Sequence, residues 1–157
     1  MHALGMRLAG RLEPGQVVAL CGPLGAGKTQ LVKGLAAGLG HVGEVTSPTF
    51  TLMHEYRGGR EALFHFDFYR VQSEGELLEL GWDELLDEGV VVAEWASRFP
   101  RLMPRDCLWL ELEMSPDDGR RVREGRPPEN QGALSESEGG GGACRRATPI
   151  DSPDGLA

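Results

Sequence analysis

Hydrophobic positions change period repeatedly along the chain, and each change marks an element. Leu4, Leu8 and Leu12 recur every fourth residue, which predicts a helix over Ala3–Leu12, ended by Pro14 and Gly15. Gln16–Gly22 is a short β-branched apolar run and reads as a buried parallel strand. After a glycine-rich turn, Leu31, Val32, Leu35, Ala36 and Leu39 mark one face of a helix over Lys28–Leu39, with Gly40 placed to cap its end. Thr46–Thr49 is a loop, because Pro48 bars Ser47 from helical backbone. Thr51–Tyr56 and Glu61–Phe66 flank Arg57–Arg60 and predict an antiparallel hairpin closed by Gly58 and Gly59.

Two helices are predicted next, over Ser73–Leu80 and Trp82–Glu88. Ser73 and Glu76 stand at capping-box spacing in the first, and Gly89 stops the second. Val90–Ala93 is another buried strand, followed at once by Glu94 and Trp95. Cys107–Met114 and Arg120–Glu124 bracket the turn signal Ser115–Gly119 and predict a closing hairpin. Parallel strands with helical crossovers, plus antiparallel additions, indicate an α/β fold: a mostly parallel sheet with antiparallel hairpins and helices on both faces.

Composition sets the domain limits. All ten aromatic residues lie between Phe50 and Trp109, and residues 126–157 hold only Leu134, Ile150 and Leu156 as sizeable aliphatics. Such a stretch buries too little apolar surface to offset its ordering entropy, so residues 1–125 are expected to form one domain and residues 126–157 a disordered tail. Formal net charge is −8, from 16 Lys+Arg against 24 Asp+Glu, and Lys28 and Lys33 are the two lysines. Phosphate contacts need clustered cations, so this chain is a poor candidate for binding nucleic acid alone. Cys21, Cys107 and Cys144 show no metal or disulfide spacing. No apolar run approaches the ~20 residues of a membrane span, and a soluble, cytoplasmic protein is expected.

Chemistry enters with Gly22-Pro23-Leu24-Gly25-Ala26-Gly27-Lys28-Thr29, a G-x-x-x-x-G-K-[ST] phosphate loop between a predicted strand and a predicted helix. Gly25 and Gly27 let successive N–H groups face phosphate oxygens, at the positive end of the following helix. Lys28 supplies a cation for the β- and γ-phosphates, and the Thr29 hydroxyl is a hard ligand for Mg2+. This composition predicts roughly 0.003 chance matches to the pattern in the whole chain, so a nucleoside triphosphate site and a P-loop NTPase-like fold are expected. ATP is favoured over GTP: Asn130 is the one asparagine, and neither lysine lies in an Asn-Lys-x-Asp segment of the kind that reads guanine.

Such a site takes a carboxylate from a neighbouring strand end. Glu94 ends the apolar strand and is the expected metal ligand with Thr29; Asp67, after Ala62–Phe66, is expected to sit behind it or position water. Thr46–Thr51, with Ser47, Pro48 and Thr49 at its centre, suits a switch that senses the γ-phosphate or Mg2+. His65, alternating with Phe64 and Phe66, is read as structural. Trp82, Trp95 and Trp109 are read as core or interface residues.

Four segments in order resemble one family. Gly22–Thr29, Thr46–Leu52 as T-S-P-T-F-T-L, His65–Arg70 as H-F-D-F-Y-R, and Glu94-Trp95 are similar to TsaE, the bacterial ATPase of tRNA threonylcarbamoyladenosine biosynthesis. The resemblance spans about residues 3–124. It implies a small P-loop ATPase that works with TsaD, the transferring subunit, and TsaB, its scaffold partner, so that tRNA is met only through them. It also implies Gly25, Ala26, Gly27, Lys28, Thr29 and Gln30 as the phosphate cradle, Thr29 and Glu94 as magnesium ligands, Asp67 in hydrolysis and Arg120 near the nucleotide. Three features depart from the family pattern: Pro23 where Asp is usual, Ala96 where Pro is common, and a start almost inside the first helix, where family members have an earlier segment that helps cover the base. Two other classes share a P-loop: a small-molecule kinase, which generally carries an arginine lid, and a nucleotide-gated binding module without turnover.

Overall fold

Val17–Cys21 (β1), buried at every position, runs through the middle of a six-stranded sheet in a computed structural model of the protein, which describes residues 1–116 and 119–127. It is preceded by α1 (His2–Ala9) and followed by α2 (Lys28–Gly38). Then come β2 (Met53–Tyr56), β3 (Leu63–Asp67), α3 (Glu74–Glu79), α4 (Trp82–Glu88), β4 (Val90–Glu94), β5 (Leu108–Met114) and β6 (Arg120–Glu124). The spatial order is β2-β3-β4-β1-β5-β6. β3, β4, β1 and β5 pair in parallel, while β2 and β6 add antiparallel at the two edges.

Period-two alternation divides the sheet between two cores. Val18 and Leu20 of β1, Val90 and Val92 of β4, and Leu110 and Leu112 of β5 pack under α1 and α2 with Leu31 and Leu35. Val17, Ala19, Phe64, Phe66, Val91 and Ala93 face the opposite side, where Leu77 of α3 and Trp82 of α4 cover them. Phe66 and Trp82 meet edge to face, with ring centroids 5.1 Å apart. Helices on both faces of a mostly parallel sheet are thus what the alternating pattern builds. Among the described residues no helix is long and apolar enough to cross a membrane.

Local details differ from the sequence reading. The first hairpin is antiparallel, but Tyr56 pairs with Leu63, so residues 57–62 close it and not the Gly58–Gly59 pair alone. β2 starts at Met53, because residues 49–52 turn back: the amides of Thr51 and Leu52 both donate to the Pro48 carbonyl, at 3.1 and 2.7 Å. Ser73 does occupy the N-cap of α3 in extended backbone, without a side-chain capping bond. The Glu76 carboxylate instead accepts from the Gln72 amide at 3.3 Å, one residue outside a capping box. The tail expected from residue 126 lies outside the described residues, apart from Arg126 and Pro127.

Candidate nucleotide site

The parallel strands deliver their carboxyl ends to one edge, and the chain's polar motifs converge there. β1 ends at Cys21 and passes into the phosphate loop, whose Gly25 and Gly27 take positive φ of 79° and 98°. A side chain is strained at such angles, so glycine is what lets the loop turn tightly into α2. Gly27 is the N-cap of α2, and the loop amides therefore stand at the positive end of an 11-residue helix. Ala26 is buried in the loop, while Gly25 is exposed on it and Gln30 is exposed on the first turn of α2.

Lys28 is buried at 5% exposure, and its Nζ donates to the carbonyls of Gly22 and Pro23, both at 2.9 Å. The ammonium also lies 4.0 Å from the centroid of the Trp95 ring, a cation–π contact. Burial pulls the Lys28 pKa down, and the negative charges of Glu94 and Asp67 oppose that shift.

The Thr29 hydroxyl donates to Glu94 Oε1 at 3.0 Å, joining residues 65 apart in sequence. Glu94 is the last residue of β4 and pairs in register with Asp67, the last residue of β3, so the two carboxylates share the sheet edge. Both are buried. They are held differently. Glu94 Oε1 also bonds His65 Nε2 at 2.9 Å. Asp67 Oδ2 accepts from Thr49 at 2.8 Å and Ser47 at 3.3 Å, and its Oδ1 caps the following short helix through the Tyr69 amide at 2.9 Å. The Thr46–Thr51 loop is therefore tied to Asp67 by two hydroxyls, with Pro48 buried between them. Arg120 opens β6 opposite Met114, at the same edge but two strands outward from β1, and its Nη1 donates to the Gly119 carbonyl at 3.2 Å.

Two residues read as structural stand inside this constellation. His65 faces α2 with Leu63, and the alternation of β3 was the sequence signal for that: it shares the parity of Asp67 and not of Phe64 and Phe66. Trp95 has left-handed backbone, φ 59° and ψ 32°, a conformation that costs a non-glycine residue of order 1–3 kcal/mol. That turn directly after β4 brings its ring over Lys28 and within 5.1 Å of Tyr69. A tryptophan after a strand carries no sequence signal for such a turn.

Similarity to known proteins agrees with this geometry. The family model described as "Threonylcarbamoyl adenosine biosynthesis protein TsaE" matches residues 1–122. The tRNA threonylcarbamoyladenosine biosynthesis protein TsaE of Bacillus subtilis is 40% identical over 121 residues, covering 76% of this chain and 75% of that protein. The protein of the same name in Treponema pallidum is 44% identical over 112 residues, covering 71% and 82%. The crystal structure of Bacillus subtilis YdiB superposes with a TM-score of 0.63 at 35% identity, over 77% of this chain and 74% of that one. A profile match over nearly the whole described chain, with the phosphate loop, Asp67 and Glu94 brought to one edge, has one reading: the chain belongs to the TsaE family of tRNA threonylcarbamoyladenosine biosynthesis.

Proposed function

We propose that this chain is a Mg2+-dependent ATPase for threonylcarbamoyladenosine modification of tRNA, working in the cytoplasm on the TsaB–TsaD complex. It turns ATP over slowly alone and faster with those partners, and it meets tRNA only through them. The observation that carries the reading is the Thr29–Glu94 hydrogen bond, which joins the phosphate loop to a strand-end carboxylate. A hydroxyl and a carboxylate are two hard oxygens, the sparse protein share that Mg2+ takes when phosphates and water complete its shell. The strongly acidic chain supports leaving the RNA to partners.

Each residue has a role in this scheme. Amides of Gly25–Gln30 would cradle the phosphates, and Lys28 would place its cation on the β- and γ-oxygens. Thr29 and Glu94 would hold Mg2+, which when bound neutralises charge on those oxygens. Asp67, steadied by Thr49 and Ser47, would orient the attacking water. Because Ser47 and Thr49 bond Asp67 directly, a change at that carboxylate shifts the loop, so the segment serves as the switch. Arg120 would approach the nucleotide from the outer end of the edge.

Phosphate release and threonylcarbamoyladenosine yield, each measured with and without TsaB–TsaD, test the reading. Turnover should rise on adding the partners, and Lys28→Ala should abolish it without unfolding the chain. If added partners changed neither quantity, the assignment would fail; an ATP-dependent phosphorylated metabolite would instead mark a kinase.

A further inference from the structure

Glu94 receives two donors on one oxygen, from two different elements. Thr29 reaches Oε1 from the first turn of α2, and His65 reaches it from the middle of β3. His65 pairs with Val92 and Asp67 with Glu94, so the imidazole sits one strand across and two residues behind the carboxylate, on the face that α2 covers. The imidazole is fully buried, and the Tyr56 ring packs beside it at 6.3 Å between centroids.

The network assigns the tautomer. An ionised carboxylate only accepts hydrogen bonds, so Nε2 carries the hydrogen in the 2.9 Å contact. Among the described residues the buried Nδ1 has no hydrogen-bond partner, and a hydrogen placed there would be an orphaned buried donor. His65 is thus a fixed donor aimed at Glu94. With Thr29 and His65 both on Oε1, the oxygen left to face a cation is Oε2. Ligating carboxylates depend on such partners for their orientation.

We infer that His65 is the positioning residue of the cation site: its Nε2–H locks the Glu94 carboxylate in the orientation that presents Oε2. The inference rests on the reading of Glu94 as a metal ligand. His65 does not touch the nucleotide, and its effect passes entirely through Glu94.

The test uses the full chain with the β,γ-imido analogue of ATP and Mn2+ in place of Mg2+, bound Mn2+ being read by electron paramagnetic resonance. His65→Phe keeps a buried ring but removes the donor, and should weaken Mn2+ affinity by about tenfold or more while leaving analogue binding in EDTA unchanged. His65→Gln can offer an amide N–H where Nε2 stood and should restore most of the affinity. In a Glu94→Ala background His65→Phe should cost nothing further. Wild-type Mn2+ affinity in His65→Phe, or equal loss in Phe and Gln variants, overturns the inference. A Glu94→Ala chain that binds Mn2+ normally removes the metal-ligand reading and this inference with it. Loss in Glu94→Ala without loss in His65→Phe overturns the inference alone. Circular dichroism checks folding; should His65→Phe not fold, His65→Met fills the volume without a donor and serves in its place.

Discussion

Burial sets the chemistry of single side chains well away from the nucleotide edge too, and Cys107 is the clearest case. Burial pushes its thiol from the ordinary 9.0 up to about 12, reinforced by the neighbouring Cys21 and Asp106 and opposed by a backbone hydrogen bond with Ala19. At pH 8 the thiolate fraction falls roughly 1000-fold against an ordinary cysteine, while the higher basicity of the remaining thiolate returns roughly 15- to 30-fold in intrinsic reactivity. Iodoacetamide should therefore label Cys107 at least about tenfold more slowly in the folded chain than in urea, read by peptide mass spectrometry. The linked stability has a definite sign. Below pH 9 both states hold the proton; from there toward 12 only the unfolded chain releases it, so stability is lost as pH rises through that window, and less so in Cys107→Ser. At this scale the sequence was legible where chemistry fixes spacing. Lys28 and Thr29 follow from the loop pattern, Glu94 and Asp67 from standing at strand ends. The face of His65 followed from the alternation of β3, but its contact with Glu94 depends on how β3 pairs with β4, and Trp95 reaches Lys28 through a left-handed turn that no local propensity announces.

Between elements, the contact that most constrains the sequence is that of α1 with α2, where backbone meets backbone. A Cβ on Gly34 would strike the His2 carbonyl oxygen, and one on Gly38 would lie 2.6 Å from Ala9 Cβ and 2.8 Å from the Met6 carbonyl oxygen. Across the same seam a Cβ on Gly5 would lie 2.7 Å from the Leu35 amide nitrogen. Two effects compete in Gly34→Ala. Helix propensity favours alanine by up to about 1 kcal/mol, but the struck atoms are backbone and cannot rotate away, and overpacking of that kind costs about 1–3 kcal/mol. Net destabilisation is expected from urea unfolding, whereas Gly75→Ala in α3, where among the described residues the added Cβ meets only Ser73 Oγ at 3.6 Å, should stabilise by up to about 1 kcal/mol. Elements were legible because apolar spacing survives folding: Leu31, Val32, Leu35 and Leu39 share the core face the pattern assigns them. Their ends were less so. β2 loses Thr51 and Leu52 to the Pro48 turn, and the Glu76 carboxylate takes the Gln72 amide in place of the Ser73 amide its spacing names. Ends are decided by single hydrogen bonds among near-equal alternatives, which periodicity does not encode.

The order of the strands belongs to the whole molecule, and periodicity says nothing of it. Each strand's alternation names its two faces but not its neighbours, so the central place of β1 between β4 and β5 emerges only when two cores must be covered at once. The same closure completes the sheet among the described residues. β6 pairs with β5 from Arg120 opposite Met114 to Glu124 opposite Leu110, Val122 seals the core beside Leu112, and the Gly125 amide donates to the Trp109 carbonyl at 2.8 Å. The phosphate loop, Asp67, Glu94 and Arg120 all precede that point. A chain ending at Pro127 is therefore expected to keep the urea midpoint of the full chain, within the roughly 0.5 kcal/mol typical of changes remote from a core, and to bind ATP with the same affinity in calorimetry. A chain ending at Ser115 forfeits β6, uncovers the apolar face of Leu110 and Leu112 and exposes β5 as an edge, so it should lose stability sharply and tend to aggregate. Loss of midpoint or of ATP affinity in the Pro127 chain would mean that residues 128–157 belong to the domain after all, and that the compositional boundary near Gly125 is not a structural one.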